Sequence, residues 1–252
     1  MLYDPWPLAG ACMSVVTSVA FACVGRVVER RTVENAGRVA NALFATWWYC
    51  LAGLGFTSAG FAIAAAFGAA DLALHIVLLN AALVVLCVAL WALVYYFAYI
   101  FSGSTRSLVP LALFYAALYL LFTYLIAAAQ PVGVEVARWG SKIVYAHDLS
   151  ASPLVRPLGL ALLGPPAIGA VAYFSLYFKV DDPVQRYRIG VIGGSIAVWF
   201  GSSIAASIAG VNDEAWWRPV SSGISGVAAV FVLMAYRPPA WIRARLADAA
   251  PG

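Results

Sequence analysis

The sequence predicts an all-α integral membrane protein, a bundle of seven transmembrane helices with the N-terminus outside and the C-terminus inside. Two properties of the 252-residue chain indicate this class: hydrophobic residues make up 64% of it and charged residues only 10%. Soluble globular proteins are about half apolar and about one quarter charged, so a soluble fold could not hide this much apolar surface. A single membrane domain is expected over residues 1–252, with little room for a second, soluble domain.

Seven apolar runs give the predicted spans, because a helix needs about 20 mostly apolar residues to cross a bilayer. They cover residues 8–25, 39–67, 72–101, 107–129, 154–178, 189–210 and 219–236. Their length and their alanine, leucine and valine content favour helices over barrel strands, which are about ten residues long and alternate in polarity. The first run is preceded by Asp4 and followed by Arg26, Arg30 and Arg31. This charge order is the reverse of a signal peptide's, so the run is expected to stay as an anchor.

The basic residues predict the orientation. With the N-terminus outside, the inner segments hold eleven of the fifteen lysines and arginines and the outer segments hold four. The outer four are Arg138, Lys142, Arg156 and Arg218. Because basic residues concentrate on the cytoplasmic side, the N-out, C-in orientation is favoured. The sequence thus predicts a multi-pass protein of the cell (inner or plasma) membrane, whose first partner is the lipid bilayer.

The predicted spans contain no aspartate, glutamate, lysine or arginine at depth. Ionisable groups inside a membrane mark ion pathways and proton relays, since their burial is costly. A proton-coupled transporter or pump is therefore disfavoured. The last run also lacks the lysine that a retinal Schiff base requires, which excludes a retinal-linked pump, and no other cofactor is identifiable.

The motifs of the common enzyme and nucleic-acid-binding classes are missing from the sequence. It contains no GxSxG, no GxxxxGK[ST] loop and no converging Ser/His/Asp set, so no enzyme is predicted. It also lacks a basic tract with interleaved aromatic residues, which excludes nucleic acid as a partner. The four cysteines show no CxxC spacing and are expected to be small buried hydrophobes, in neither a disulfide nor a zinc site.

The two histidines raise the question of a shared metal site. His75 begins the third run beside Asp71, and His147 lies beside Asp148 after the fourth run. Both would lie on the outer face, where zinc could take imidazole nitrogen and carboxylate oxygen. The alternative is that both are solvated histidines at the membrane interface.

Aromatic and small polar residues in the spans indicate a candidate ligand pocket. Aromatic residues recur every fourth position in the third, fourth and fifth runs, which places them on one face of each helix. Pro165 and Pro166 should kink or break the fifth helix and free carbonyl groups. The candidate pocket, for a small uncharged or lipid-like molecule, consists of Trp91, Tyr95, Tyr119, Trp199 and Ser203. The alternatives are ordinary helix packing, including tight packing of the last two spans through small residues, and an interfacial aromatic belt.

Two segments between the spans have predicted structure. In the outer loop, about 131–150, alternating valines, a glycine turn in RWGSK and the run IVYA predict a hairpin over the outer mouth of the bundle. In the inner segment before the sixth run, Asp182 and Pro183 are typical of an N-cap and a first helical residue. The candidate cytoplasmic output surface consists of Arg106, Lys179, Asp182, Gln185, Arg186 and Arg188.

The inner segment KVDDPVQRYRIG, followed by GGSIAVWFGSS, resembles the seven-transmembrane sensory region at the N-terminus of some bacterial histidine kinases. There an arginine-containing, often glutamine–arginine, stretch starts the sixth helix, and Gln185, Arg186 and Arg188 stand in the matching place. The aromatic stretch LVYYFAYIFSGSTRSLVPLALFY is similar as well. The resemblance implies a sensor whose stimulus is felt within or above the membrane.

One departure from that family concerns the output. After the last run comes only RPPAWIRARLADAAPG, in which AWIRARLADA is expected to form a brief basic amphipathic helix on the inner leaflet. The expected function is a stand-alone receptor or sensor that signals to a separate cytoplasmic or membrane partner. The alternatives are a facilitative transporter or channel for a neutral solute and a membrane assembly subunit. Part of the solute path could be lined by the hydroxyls of Ser195, Ser202, Ser203 and Ser207.

Overall fold

The computed structural model describes residues 5–32, 38–137, 140–148, 152–209 and 217–248. Within these ranges the chain forms eight α-helices and one two-stranded sheet, and 83% of it is helical. The helices are α1 (Pro5–Thr32), α2 (Arg38–Ala66), α3 (Leu72–Ser102), α4 (Leu108–Ala128), α5 (Val155–Ser175), α6 (Pro183–Ala209), α7 (Trp217–Tyr236) and α8 (Ala240–Asp248). The strands are β1 (Pro131–Ala137) and β2 (Gly140–Tyr145), and a 3₁₀ turn, Leu176–Phe178, extends α5.

Six of the helices in the described part are long and apolar enough to cross a membrane, which makes this a helical multi-pass membrane protein. They lie on α1, α2, α3, α4, α5 with its 3₁₀ turn, and α7. These six match the predicted runs closely, although α1 continues to Thr32, beyond the predicted end at Gly25. The remaining predicted run, 189–210, falls on α6, in which the side chains of residues 203, 204, 207 and 208 lie outside the described part.

Helix α1 packs against both α2 and α7. Close approach to α2 depends on Gly55, where an added Cβ would collide with the Ser18 hydroxyl. On the α7 side, the Thr17 hydroxyl donates to the Ser222 carbonyl oxygen at 2.8 Å. Further along both helices, residues Cys23 to Arg30 of α1 face residues Val230 to Arg237 of α7. Because residue numbers rise together along this contact, α1 and α7 run parallel.

The core of the bundle is aromatic. The Phe44 ring of α2 stacks on Tyr96 of α3, with centroids 4.8 Å apart, and on the neighbouring Trp47 at 5.5 Å. Trp47 and Trp48 contact each other at 4.7 Å, and Tyr173 of α5 lies 6.0 Å from Tyr96. All five of these residues are buried, so α2, α3 and α5 meet around one set of rings.

Helix α5 passes through Pro165 and Pro166 without interruption, so the prolines do not break it, and the alternative of a kink stays a prediction. Each proline lacks the N–H that would bond four residues back, which leaves the Ala161 and Leu162 carbonyls without that donor. Transmembrane helices tolerate this loss where neighbouring helices, serine or threonine hydroxyls or local backbone adjustments satisfy the freed carbonyls.

The small residues of α6 and α7 do not lie where tight packing between these two helices requires. An added Cβ at Gly190 would meet Tyr177, and one at Gly193 would meet Phe174, so both glycines serve the contact with the α5 segment. Gly223 and Gly226 face α1 instead. Between α6 and α7 there is a cavity of about 270 Å³, lined in part by Gly194. The spacing of the glycines predicted that another helix would approach closely, but it could not predict which helix that would be.

Several local predictions are confirmed. The predicted hairpin forms as an antiparallel pair in which Glu135 lies opposite Lys142. Helix α6 begins at Pro183, and the Asp182 carboxylate accepts a hydrogen bond from the Val184 N–H at 2.9 Å, as an N-cap does. The predicted short helix after the last span is α8, Ala240–Asp248. All four cysteines are free, but Cys12 and Cys23 are exposed rather than buried.

Close packing of α5 on α3 gives a first prediction. Gly169 lies against the buried Phe97 ring, into which an added Cβ would project, whereas Gly164 on the same helix has nothing within 4 Å. We expect Gly169→Ala to cost about 1–3 kcal/mol through overpacking. The matched control Gly164→Ala should be neutral or gain up to about 1 kcal/mol from helix propensity. Thermal unfolding of both variants in detergent checks this, and equal melting temperatures would contradict the contact.

Candidate functional site

A groove between α3 and α4 brings two of the predicted pocket residues, Trp91 and Tyr119, into one cavity of about 350 Å³. The groove is lined by Val84, Cys87, Val88, Trp91, Ala112, Tyr115, Ala116 and Tyr119. Its rim includes Val84 and Val88, whose side chains are exposed, so it opens sideways to the surroundings of the bundle. In a membrane protein, a groove that opens sideways faces the lipid.

The shape of the groove follows from helical spacing. On each helix the lining residues recur at three- and four-residue intervals, which places them on one face. Ala112 and Ala116 leave space between the helices that larger side chains would fill. Tyr115 and Cys87 form the floor, where both are buried in a packed cluster with Leu90. The groove is therefore a fixed gap between two well-packed helix faces.

Two hydrogen-bond donors are available in this apolar groove. The Tyr115 hydroxyl is buried and has no hydrogen-bond partner among the described residues. The Trp91 indole N–H reaches the Leu108 carbonyl oxygen only at 3.5 Å, the outer limit of a hydrogen bond. Leaving a buried hydroxyl unpaired costs about 1–3 kcal/mol, so an acceptor on a bound molecule would be stabilised here.

The other predicted pocket residues lie elsewhere. Tyr95 is buried next to the groove, stacked on Trp91 with centroids 6.2 Å apart. Trp199 is not among the groove's lining residues; it packs edge-on against Trp47 at 6.5 Å. Ser203 belongs to α6, but its side chain lies outside the described residues. Sequence reasoning missed the other six lining residues, and only the pairing of α3 with α4 could have added them: Val84, Cys87, Val88, Ala112, Tyr115 and Ala116.

An aromatic column runs along α3 from the groove towards the C-terminal end of the helix. Trp91 stacks on Tyr95, and Tyr95 meets Tyr99 edge-on at 6.5 Å. Helix α3 ends three residues later, at Ser102, and its C-cap Gly103 adopts the left-handed conformation that favours glycine. The turn that follows carries Arg106.

The residues of the predicted output surface differ in their exposure and in their contacts with the rest of the protein. Arg186 is anchored, because its Nε donates to the Tyr177 carbonyl oxygen at 3.2 Å and its guanidinium lies 5.7 Å from the Tyr177 ring centroid. Lys179, Asp182 and Gln185 are exposed on the same segment. Arg188 is half-buried, and its Nε has no hydrogen-bond partner within the described part of the chain.

Arg106 is exposed in a separate turn, between α3 and α4. Among the residues that the structure describes, no hydrogen bond or ion pair joins it to the segment that contains Arg186. The predicted surface is thus one anchored segment and one separate turn.

The two histidines differ, which corrects the expectation that both are solvated. His147 is exposed, whereas His75 is fully buried. His75 Nδ1 lies 2.7 Å from the Asp71 carbonyl oxygen, so Nδ1 carries a proton, and Nε2 lies 2.7 Å from the Ser141 hydroxyl oxygen. That hydroxyl also lies 3.0 Å from the Phe61 carbonyl oxygen. The pair joins the hairpin to the C-terminal part of α2 and the N-terminal end of α3.

No group of three histidine, cysteine, aspartate or glutamate side chains that could hold a metal ion occurs among the residues described. Comparison of the chain with protein-family models, with curated proteins and with solved structures finds no match. The site is therefore interpreted from its own geometry.

The hairpin contact gives a second prediction. Ser141→Ala removes the partner of the buried His75 Nε2 and should lower the free energy of unfolding by about 1–3 kcal/mol. The neighbouring Lys142→Met removes only the exposed pair with Glu135, whose N–O distance is 3.1 Å. That control should cost less than about 1 kcal/mol. Thermal unfolding of both variants is the measurement, and an equal loss in the two would contradict a structural role for the buried pair.

Proposed function

We propose that the protein is a non-enzymatic seven-span receptor that takes a small uncharged or lipid-like molecule from the bilayer into the α3–α4 groove. The observation that carries the proposal is the unpartnered Tyr115 hydroxyl at the floor of that apolar groove. The cavity volume of about 350 Å³ falls in the range of small-molecule sites, roughly 300–1,000 Å³. The expected ligand is apolar over most of its surface and carries one hydrogen-bond acceptor.

The proposed topology is seven spans with the N-terminus outside, in the cell membrane. The parallel packing of α1 and α7 supports it, because two helices that point the same way are separated by an even number of reversals. If each of the seven long helices crosses once, this condition is met. The excess of basic residues in the inner segments then favours an inner position for the C-terminal ends of α1 and α7.

The proposed signal passes from the groove to the inner segments. A ligand that contacts Trp91 would favour one arrangement of the column Trp91, Tyr95 and Tyr99, and a ligand shifts an equilibrium only by such a difference in affinity between states. The column leads towards the turn with Arg106, and Arg186 anchors the neighbouring inner segment on Tyr177. A separate cytoplasmic or membrane partner would read this surface.

The alternative, a facilitative transporter or channel for a neutral solute, has less support. Two of the four hydroxyls proposed for its path are used within α6 itself: Ser195 donates to the Val191 carbonyl at 2.8 Å and Ser202 to the Trp199 carbonyl at 3.0 Å. The side chains of Ser203 and Ser207 lie outside the described part. Hydroxyls bonded to their own helix offer less to a passing solute. Solute flux into liposomes distinguishes the two classes, because a receptor should produce none.

The test of the groove is a steric one. We expect the purified protein to retain an apolar molecule, detected by its UV–visible spectrum and by mass spectrometry of the organic extract. Ala116→Trp should fill the groove and abolish retention. The matched control Ala117→Trp makes the same change at the next residue, which is exposed and outside the groove, and should keep the molecule. Equal retention by both variants, or no retained molecule in the wild type, counts against the proposal.

Removal of one hydroxyl separates ligand binding from stability. Tyr115→Phe deletes the unpartnered hydroxyl, so the unfolding temperature of the empty protein should stay the same or rise. Retention of the molecule should nevertheless weaken several-fold, since one hydrogen bond contributes about 0.5–1.5 kcal/mol. Thermal unfolding and quantitative extraction from the same preparations give both readouts. Unchanged retention would remove the hydroxyl from the proposed site.

A further inference from the structure

A second cavity, of about 460 Å³, lies between the C-terminal ends of α1 and α7, away from the α3–α4 groove. Its lining residues are Cys23, Arg26, Val27, Arg30, Val230, Leu233, Met234 and Arg237. We name this cavity the α1–α7 cleft. Three of the chain's arginines therefore converge on one gap between two helices that, like the rest of the bundle, are predominantly apolar.

The cleft is polar at one end and apolar at the other. Along α1, Cys23 and Val27 precede Arg30, and along α7, Val230 and Met234 precede Arg237. Each helix rises about 1.5 Å per residue, so the arginines at the helix ends lie about 10 Å from the apolar end. Arg30 is the last residue of the apolar stretch Pro5–Arg30, and Arg237 directly follows the stretch Pro219–Tyr236. Arg26 lies about one helical turn before Arg30.

The charges in the cleft are only partly compensated. Arg26 Nη1 lies 2.8 Å from the Glu29 carboxylate, which also accepts a hydrogen bond from the Tyr49 hydroxyl at 2.8 Å. Within the described part of the chain, no ion pair holds Arg30 or Arg237. Among the described residues, Glu29 offsets one of the three arginines, which leaves an excess of two positive charges at the cleft. Arg26 also retains guanidinium donors that Glu29 does not use.

We propose that the α1–α7 cleft binds an anionic phospholipid of the leaflet in which these helix ends lie. Its phosphate would accept hydrogen bonds from Arg30 and Arg237, since guanidinium groups pair with phosphate oxygens in bidentate geometry. An acyl chain would lie along the apolar end, between Val27 and Val230. Basic pockets between transmembrane helices bind acidic lipid headgroups for this reason. The site is independent of the ligand proposed for the α3–α4 groove.

The cleft is a more specific feature than the basic residues of the inner segments in general. Arginines near helix C-termini also interact favourably with the helix dipole, and this alone would explain single residues. It does not explain a cavity whose open end is basic on both helices. A comparison with arginines outside the cleft separates the two roles. Arg243 and Arg245 of α8 are exposed and not among the lining residues, so they provide that comparison.

The experiment is native mass spectrometry of the purified full chain, titrated with phosphatidylglycerol or with phosphatidylcholine that carries the same acyl chains. We expect one phosphatidylglycerol per chain to bind more tightly than phosphatidylcholine. The double variant Arg30→Gln/Arg237→Gln should weaken phosphatidylglycerol binding roughly tenfold or more, because two attractive charges are lost. The control Arg243→Gln/Arg245→Gln removes the same charge and should change binding less than about twofold, as these residues do not line the cleft.

The apolar end has its own test. Val230→Trp fills it without changing the charge and should also weaken phosphatidylglycerol binding, whereas Val220→Trp at the other end of α7 should not. Equal losses in the two arginine pairs would show diffuse attraction to charge and overturn the cleft. Displacement of the bound lipid by inorganic phosphate would assign the arginines to a soluble anion and overturn the lipid. Equal binding of phosphatidylcholine would overturn the requirement for a negative charge.

Discussion

Hydrogen bonding inside a bilayer is the constraint on which the rest of this structure depends. The hydrocarbon core contains no water, so each backbone N–H and carbonyl must find its partner within the protein. The long helices satisfy this locally, and most hydroxyls in them do the same, as Ser18 does by donating to the Ser14 carbonyl at 2.7 Å. Helix α5 is a local exception, because its two prolines leave the Ala161 and Leu162 carbonyls without their helical donors. A polar group without a partner is therefore informative wherever it occurs.

Three polar features of the described residues lie at gaps or contacts between helices. The His75–Ser141 pair fastens the hairpin across two helices. The Tyr115 hydroxyl lies at the floor of a sideways-opening groove. The three arginines of the α1–α7 cleft lie where two helices leave the apolar region. Each position combines a polar group with a gap or contact between helices, which a sequence alone does not show.

The helices are packed more densely in some parts of the bundle than in others. Around α2, large rings such as Phe44 and Trp47 fill the centre, and glycines such as Gly55 bring α1 close. Between α3 and α4, and between α6 and α7, small side chains leave open cavities instead. A bundle with one densely packed side and open grooves on others is suited to holding an apolar molecule without unfolding. In the receptor that we propose, the densely packed helices around α2 would form the scaffold, and the open grooves would hold the ligand.

The sequence by itself determined the class of protein, the bounds of most helices, the outer hairpin and the start of α6 at Pro183. These depend on local properties: the length of apolar runs, alternation of valines, and the pairing of an aspartate cap with a proline. Tertiary structure alone decided which helices meet. It separated Trp199 from Trp91, turned the glycines of α7 towards α1, and buried His75 against Ser141. Helical periodicity fixes which residues share a face, but not which neighbour that face contacts, because apolar faces in lipid are chemically alike and are matched by shape.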